Sequence, residues 1–234
     1  SAVRCYIRAG EGDAACDVLA SLGAWGDAAG LHERAGRMTE AATMYERADR
    51  LLDAARCHRA MGRLDEEARC LIVGEDLLGA AWVLAHDLRR FEEARAVVLR
   101  FDDQASAKVG AKEETIADVP TVRPPESPLE QRWVLARCDL GQGRRAVATR
   151  TLSENAPQLA GTFAGSRAVA WALALSDLLR RPDLTAIIFA GSTGADDRIE
   201  ADWDQWTQKT LGASCGPPFR RSASSSAEEH GEEA

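Results

Sequence analysis

Apolar and small residues return along the first hundred positions at a near-constant interval of thirteen. Gly12, Trp25, Met38, Leu51, Leu64, Leu77 and Phe91 are successive starts, separated by 13, 13, 13, 13, 13 and 14 residues. Three positions after each start stand Ala15, Ala28, Ala41, Ala54, Glu67, Ala80 and Ala94, and the next position reads Cys16, Ala29, Ala42, Ala55, Ala68, Ala81 and Arg95. Counting the start as column 0, columns 0, 3, 6, 7 and 10 are apolar or small, which is the spacing of one helical face. Thirteen residues accommodate about ten of helix, or ~15 Å at the α-helical rise, and a three-residue turn. Columns 6 and 7, from Val18 and Leu19 through Cys57 and His58 to Val97 and Val98, are predicted to form the core stripe. The alanines of columns 3 and 4 let helices approach closely.

The charges agree with this phasing. Asp27, Glu40, Asp53, Glu66 and Glu93 fall in first turns, and Arg34, Arg47 and Arg59 near last turns, each sign on the favourable end of the helix dipole. Gly10, Gly23, Gly36 and Gly62 share column 11, where a left-handed residue ends a helix. Two units make an αα-hairpin of 26 residues, too small to bury its own faces, so hairpins must stack on neighbours. The expected fold is all-α: an α-solenoid of short antiparallel hairpins over residues 1–101.

A turn followed by two small residues and a bulky pair resembles the tetratricopeptide-like superhelices, although the 34-residue repeat and signature positions of that family are absent. It is more similar to the short helical hairpins that follow β-propellers in vesicle-coat and intraflagellar-transport scaffolds. The resemblance implies a fold and a binding role and carries no functional residues. The chain begins inside the repeat, since Cys5, Tyr6, Ala9 and Gly10 occupy the columns of Val18, Leu19, Leu22 and Gly23. A fragment of a longer protein is therefore expected.

After Phe101 the period is lost. Residues 102–126, with Pro120, Pro124 and Pro125, read as a flexible linker. Ser127, Pro128 and Glu130 read as a helix start in which Glu130 reaches back to the cap. Helices are predicted to follow from Ser127 to Asp139 or Leu140, Arg144 to Glu154, Thr162 to Arg180, Asp183 to Phe189, and Asp196 or Asp197 to Leu211, where Ile199, Trp203 and Trp206 share one face. Residues 127–212 thus form an irregular helical module, and 213–234, rich in serine and glutamate, a disordered tail. The run Arg181, Pro182, Asp183, Leu184 with Trp203 and Trp206 resembles the C-terminal helical module of bacterial MoxR, von Willebrand A and β-propeller ternary systems. That resemblance implies a scaffold beside an ATPase of the AAA family and transfers no catalytic residue.

Composition narrows the function. A net charge of −8 provides no basic stripe for phosphates, so no nucleic-acid partner is expected. The longest apolar run, Ala168 to Leu175, is far below the ~20 residues of a membrane span. Six cysteines without CxxC spacing read as buried reduced thiols, and a cytoplasmic location is expected. A metal site would have to draw on His32, His58, Cys57 and Cys70, but Cys57 and Cys70 occupy a column otherwise filled by Val, Leu and Met. Packing explains them, so no metal and no cofactor is expected. Gly191, Ser192, Thr193 and Gly194 lack the lysine of a phosphate loop and read as an inter-helix turn.

No catalytic constellation emerges, and the chain is expected not to be an enzyme. The favoured function is an interaction scaffold or adaptor for a protein partner or a neighbouring domain of the same chain. The alternatives are a regulatory component of a bacterial AAA ATPase assembly and a helical enzyme domain. Candidate partner-binding residues are Arg37, Arg50 and Arg63, which follow the column-11 turn, and Trp203 and Trp206.

Overall fold

The computed structural model describes residues 2–9, 11–112, 127–192 and 197–216. Among them every regular element is helical. The chain divides into two compact units, Ser1–Ala117 and Asp118–Ala234, a boundary inside the expected linker.

In the first unit the helices are α1 (Ala2–Ala9), α2 (Gly12–Ser21), α3 (Trp25–Arg34), α4 (Met38–Arg47), α5 (Leu51–Ala60), α6 (Leu64–Val73), α7 (Leu77–Trp82) and α8 (Phe91–Lys112). Each helix packs against the next along the chain, as a solenoid of hairpins requires. The starts of α2 to α8 are the seven predicted from the repeat. Column 3 is buried throughout: its alanines are inaccessible, and Glu67, the one acid there, is 5% exposed. The core therefore sits on the alanine columns. Column 6 is only half-buried at Val18, Leu31 and Met44, because small residues already bring the helices together. Helix α8 differs from the rest by running to Lys112, so the first eleven residues of the expected linker are helical. Residues 113–126 lie outside the described set.

One turn is reused between helices. The amide of Gly23 donates to Ala20 and that of Ala24 to Leu19, which satisfies the last carbonyls of α2. The same pair of bonds recurs at Gly36 and Arg37, Asp49 and Arg50, Gly62 and Arg63, and Glu75 and Asp76. Its first residue is left-handed, with φ of 72° at Gly23 and 75° at Gly36, and also 55° at Asp49 and 62° at Glu75. A side chain in that region costs ~1–2 kcal/mol, part of which glycine forfeits through a freer unfolded chain. Asp49→Gly and Glu75→Gly should each raise unfolding free energy by ~0.5–1 kcal/mol in urea titrations.

The single 14-residue interval has a structural counterpart. Residues Val83–Asp87 form a π-turn, in which the amide of Leu88 donates to Val83. One residue is inserted into the helix, and the left-handed turn residue moves by one, to Arg89 at φ 56°. The π-turn absorbs the insertion, and Phe91 resumes the stack.

In the second unit, α9 spans Ser127–Gly141, α10 Arg145–Asn155, α11 Arg167–Leu178, α12 Pro182–Gly191 and α13 Asp197–Leu211. The repeat's turn returns here, at Gly143 (φ 80°) with Arg144 and at Arg180 (φ 52°) with Arg181. One expectation needs correction. Helix α11 begins at Arg167 and not at Thr162: Ala156–Leu159 form a 3-10 turn, the Gly161 amide donates to Gly191, and the Ser166 hydroxyl accepts from the Val169 amide at 3.4 Å as the cap. Glu130 is engaged across the unit, in a pairing that the capping pattern did not indicate. Its buried carboxylate takes two bonds from Arg167 across α11, at 3.0 and 2.6 Å, because a guanidinium is the stronger partner.

Candidate functional site

The polar side chains of the first unit are organised by the same period. Glu33, in column 8 of α3, accepts a bond from the Tyr45 hydroxyl of α4 at 2.8 Å and is paired with Arg56 of α5. One unit later, Glu46 meets Nε2 of His58 at 3.0 Å and Nη2 of Arg69 at 2.8 Å. A column-8 glutamate thus joins the column-7 residue of the next helix and the column-5 arginine of the helix after that. The column-6 cysteine beside each arginine is buried, Cys57 in the first copy and Cys70 in the second. In the second copy the Cys70 thiol donates to the Glu46 Oε1 atom at 3.5 Å. The ladder ends one step on, where Arg59 stands in column 8 and turns to Glu67 and Asp87 at 2.7 and 3.0 Å.

These contacts shift the acids in a common direction. Bonds from Arg56 and Tyr45 hold Glu33 below its usual range. Burial raises Glu46, but His58, Cys70 and Arg69 outweigh it and the net shift is downward. Burial likewise raises Asp53, and Arg56 and Arg50 outweigh it. Each carboxyl is lower when folded than when unfolded, so the stability it confers is complete above the unfolded values of about 4 and is lost as pH falls through the folded ones. Urea midpoints should therefore drop as pH falls below about 4, and Glu33→Gln should flatten that limb. Glu67 runs the other way: burial pushes it up despite Arg59, so its cost is relieved on acidification.

The arginines predicted for partner binding divide. Arg37 is paired with Asp13, which ties α2 to the turn before α4. Arg50 binds Asp53 at 2.6 Å and lies 4.9 Å above the Tyr45 ring. Both guanidiniums are therefore engaged within the stack. Arg63 is exposed and has no ion-pair partner among the described residues. Cys57 and Cys70 pack with Ala41, Ala42, Ala54, Ala55 and Tyr45 in one cluster, as their column predicts. The Nε2 atom of His58 points at Glu46, and His32 is half-buried.

Trp203 and Trp206 are brought together with Ile199 and Phe189, as the shared face predicts. Trp203 is 7% exposed, meets Phe189 edge-on at 5.2 Å and stacks on Trp206 at 5.2 Å. Its indole N–H donates to the carbonyls of Cys215 and Gly216 at 2.9 and 3.3 Å, which ties down the first residues of the expected tail. Residues 217–234 lie outside the described set. A cavity of about 450 Å³ beside this cluster is lined by Phe163, Val169, Leu173, Phe189 and Ile199, with Asp202 as its one ionisable lining residue among those described.

Sequence reasoning missed Glu33 and Glu46. The signal was available once the period was known, because Arg56 follows Glu33 and Arg69 follows Glu46 by 23 residues, the column-8 to column-5 distance across two units. No described helix is long and apolar enough to cross a membrane. No family model matches the chain, and neither a curated protein nor a solved structure matches it.

Proposed function

We propose that the chain is a non-enzymatic interaction scaffold whose stacked hairpins offer a protein partner, or a neighbouring domain of the same polypeptide, an extended surface. The observation that carries this reading is an exposed apolar pair at one end of the α5–α6 hairpin, on a stack that also exposes Leu22 and Leu99. Leu52 in α5 is 53% exposed and Val73 in α6 is 59% exposed. Leu52 Cδ2 lies 3.2 Å from where a Cβ on Gly74 would stand, so the start of α5 meets the end of α6 next to Val73. Neither side chain is needed by the alanine core. Burying both against a partner would yield roughly 2–4 kcal/mol, enough to contribute a local anchor.

The reading is tested by quantitative affinity capture with the native chain and with a Leu52→Asp/Val73→Asp variant, both positions being exposed and so compatible with folding. A partner retained by the native chain and lost by the variant supports the scaffold. Equal capture by both, or capture by neither, contradicts it.

A further inference from the structure

The ladder that registers the helices exists in two copies that differ in one chemically decisive residue. In the first, Glu33 is joined by Tyr45 and lies near Cys57; in the second, Glu46 is joined by His58 and Cys70. We propose that Glu46, His58 and Cys70 form a binding site for a single divalent ion of the zinc class, held by one oxygen, one nitrogen and one sulfur donor from three consecutive helices.

The geometry is the first support. The three donor atoms lie within 4.8 Å of one another, with Nε2 at 3.0 Å and Sγ at 3.5 Å from Oε1. Bond lengths of about 2.0–2.3 Å in a tetrahedral site place neighbouring donors about 3.3–3.6 Å apart. The two edges at Oε1 are within a few tenths of an ångström of that, and the edge from Nε2 to Sγ, at most 4.8 Å, closes as the His58 and Cys70 side chains turn toward a shared ion. The donor set is the second support. Imidazole, thiolate and carboxylate together select a borderline ion over magnesium or calcium.

The surroundings fit a held ion with an open side. Cys70 is inaccessible and His58 is 6% exposed, while Glu46 keeps a third of its side chain in contact with solvent. Three protein ligands leave a fourth position for water on the Glu46 side. Binding releases the Cys70 proton to solvent as the sulfur–metal bond forms and moves the imidazole proton of His58 from Nε2, where it bonds Glu46, to Nδ1, and no redox step is involved. Burial pushes that thiol up to about 11, so ion uptake strengthens as pH rises. Arg69 competes for Glu46, but its side chain is 55% exposed and can turn outward as the dication arrives. Packing explained Cys70 from its column; the fold adds Glu46 and sets both it and His58 beside the thiol.

The first copy supplies its own control. A His58→Tyr variant reproduces the Glu–Tyr–Cys combination that the stack already accommodates one unit earlier, so it should fold while lacking the nitrogen donor. The test is titration of the full chain with cobalt(II) after chelator treatment under reducing conditions, read as absorption. The expected result is one equivalent bound, with a near-ultraviolet thiolate-to-cobalt band and visible bands of tetrahedral intensity, both bleached by zinc. Cys70→Ser and His58→Tyr should abolish the band and weaken binding by more than the ~10–100-fold that loss of an outer partner costs, while Cys57→Ser and Cys5→Ser retain it. The proposal is overturned by a native chain with no stoichiometric band, by a band that survives Cys70→Ser, or by one that survives His58→Tyr. Should His58→Tyr lose its helical circular dichroism, Glu46→Gln takes its place with the same expected loss.

Discussion

Ala54→Phe is expected to destabilise the first unit by about 3 kcal/mol, at or above the upper end of ordinary overpacking. Ala54 is inaccessible and sits in column 3 of α5, among Ala41, Ala42, Tyr45, Cys57 and Cys70. There the helix-to-helix separation is set by a methyl group, so a phenyl ring has nowhere to go without parting the helices on both sides. Parting them also strains the rails that cross the same interfaces, Arg56 with Glu33 and Arg69 with Glu46. Ala60, exposed at the end of the same helix, is the internal comparison. Ala60→Phe should change stability by no more than ~0.5 kcal/mol. Urea titration followed by helical circular dichroism separates the two, and equal effects would mean that column 3 is not where the helices meet.

Trp203→Ala is expected to cost the second unit ~3–5 kcal/mol, the range for emptying a buried aromatic site. The indole contributes contacts on two faces, with Phe189 and Trp206, and its N–H satisfies carbonyls of residues 215 and 216. Trp206 is half-buried, so Trp206→Ala should cost less. Thermal unfolding together with near-ultraviolet circular dichroism checks both. If Trp203→Ala left stability unchanged while reducing capture of a partner, Trp203 would be a contact residue and not part of the core.

The repeat was legible because its punctuation is chemical. A bulky or small start, small residues three and four positions later and glycine at column 11 mark most of the helices, and with the constant interval they give the starts of α2 to α8. Where a mark is missing, the structure keeps the conformation and loses the signal: Asp49, Glu75, Arg89 and Arg180 turn left-handed without glycine. In the second unit the turn at Arg180 is hidden in the same way, whereas Gly143 carries the glycine but stands in no repeat that would mark its column. The π-turn at Val83–Asp87 showed only as an interval of fourteen, since local composition does not distinguish an inserted residue inside a helix from a longer connection. The Arg167 partner of Glu130 was not legible because a capping box is a local pattern, whereas Arg167 is 37 residues away. The Glu46, His58 and Cys70 cluster was half legible. Two of its donors drew notice, but the third belongs to another helix at a spacing that has meaning only in the folded stack.

The central claim is a register: ten-residue helices separated by one left-handed turn, repeated every thirteen residues with a single insertion. Backbone and Cβ chemical shifts of the native chain test it most directly. The account predicts helical shifts broken by single left-handed residues at 23, 36, 49, 62 and 75, and then at 89, fourteen residues on, with Asp49, Glu75 and Arg89 left-handed despite their side chains. Helical shifts running uninterrupted through any of these positions, or breaks at irregular intervals, would contradict it.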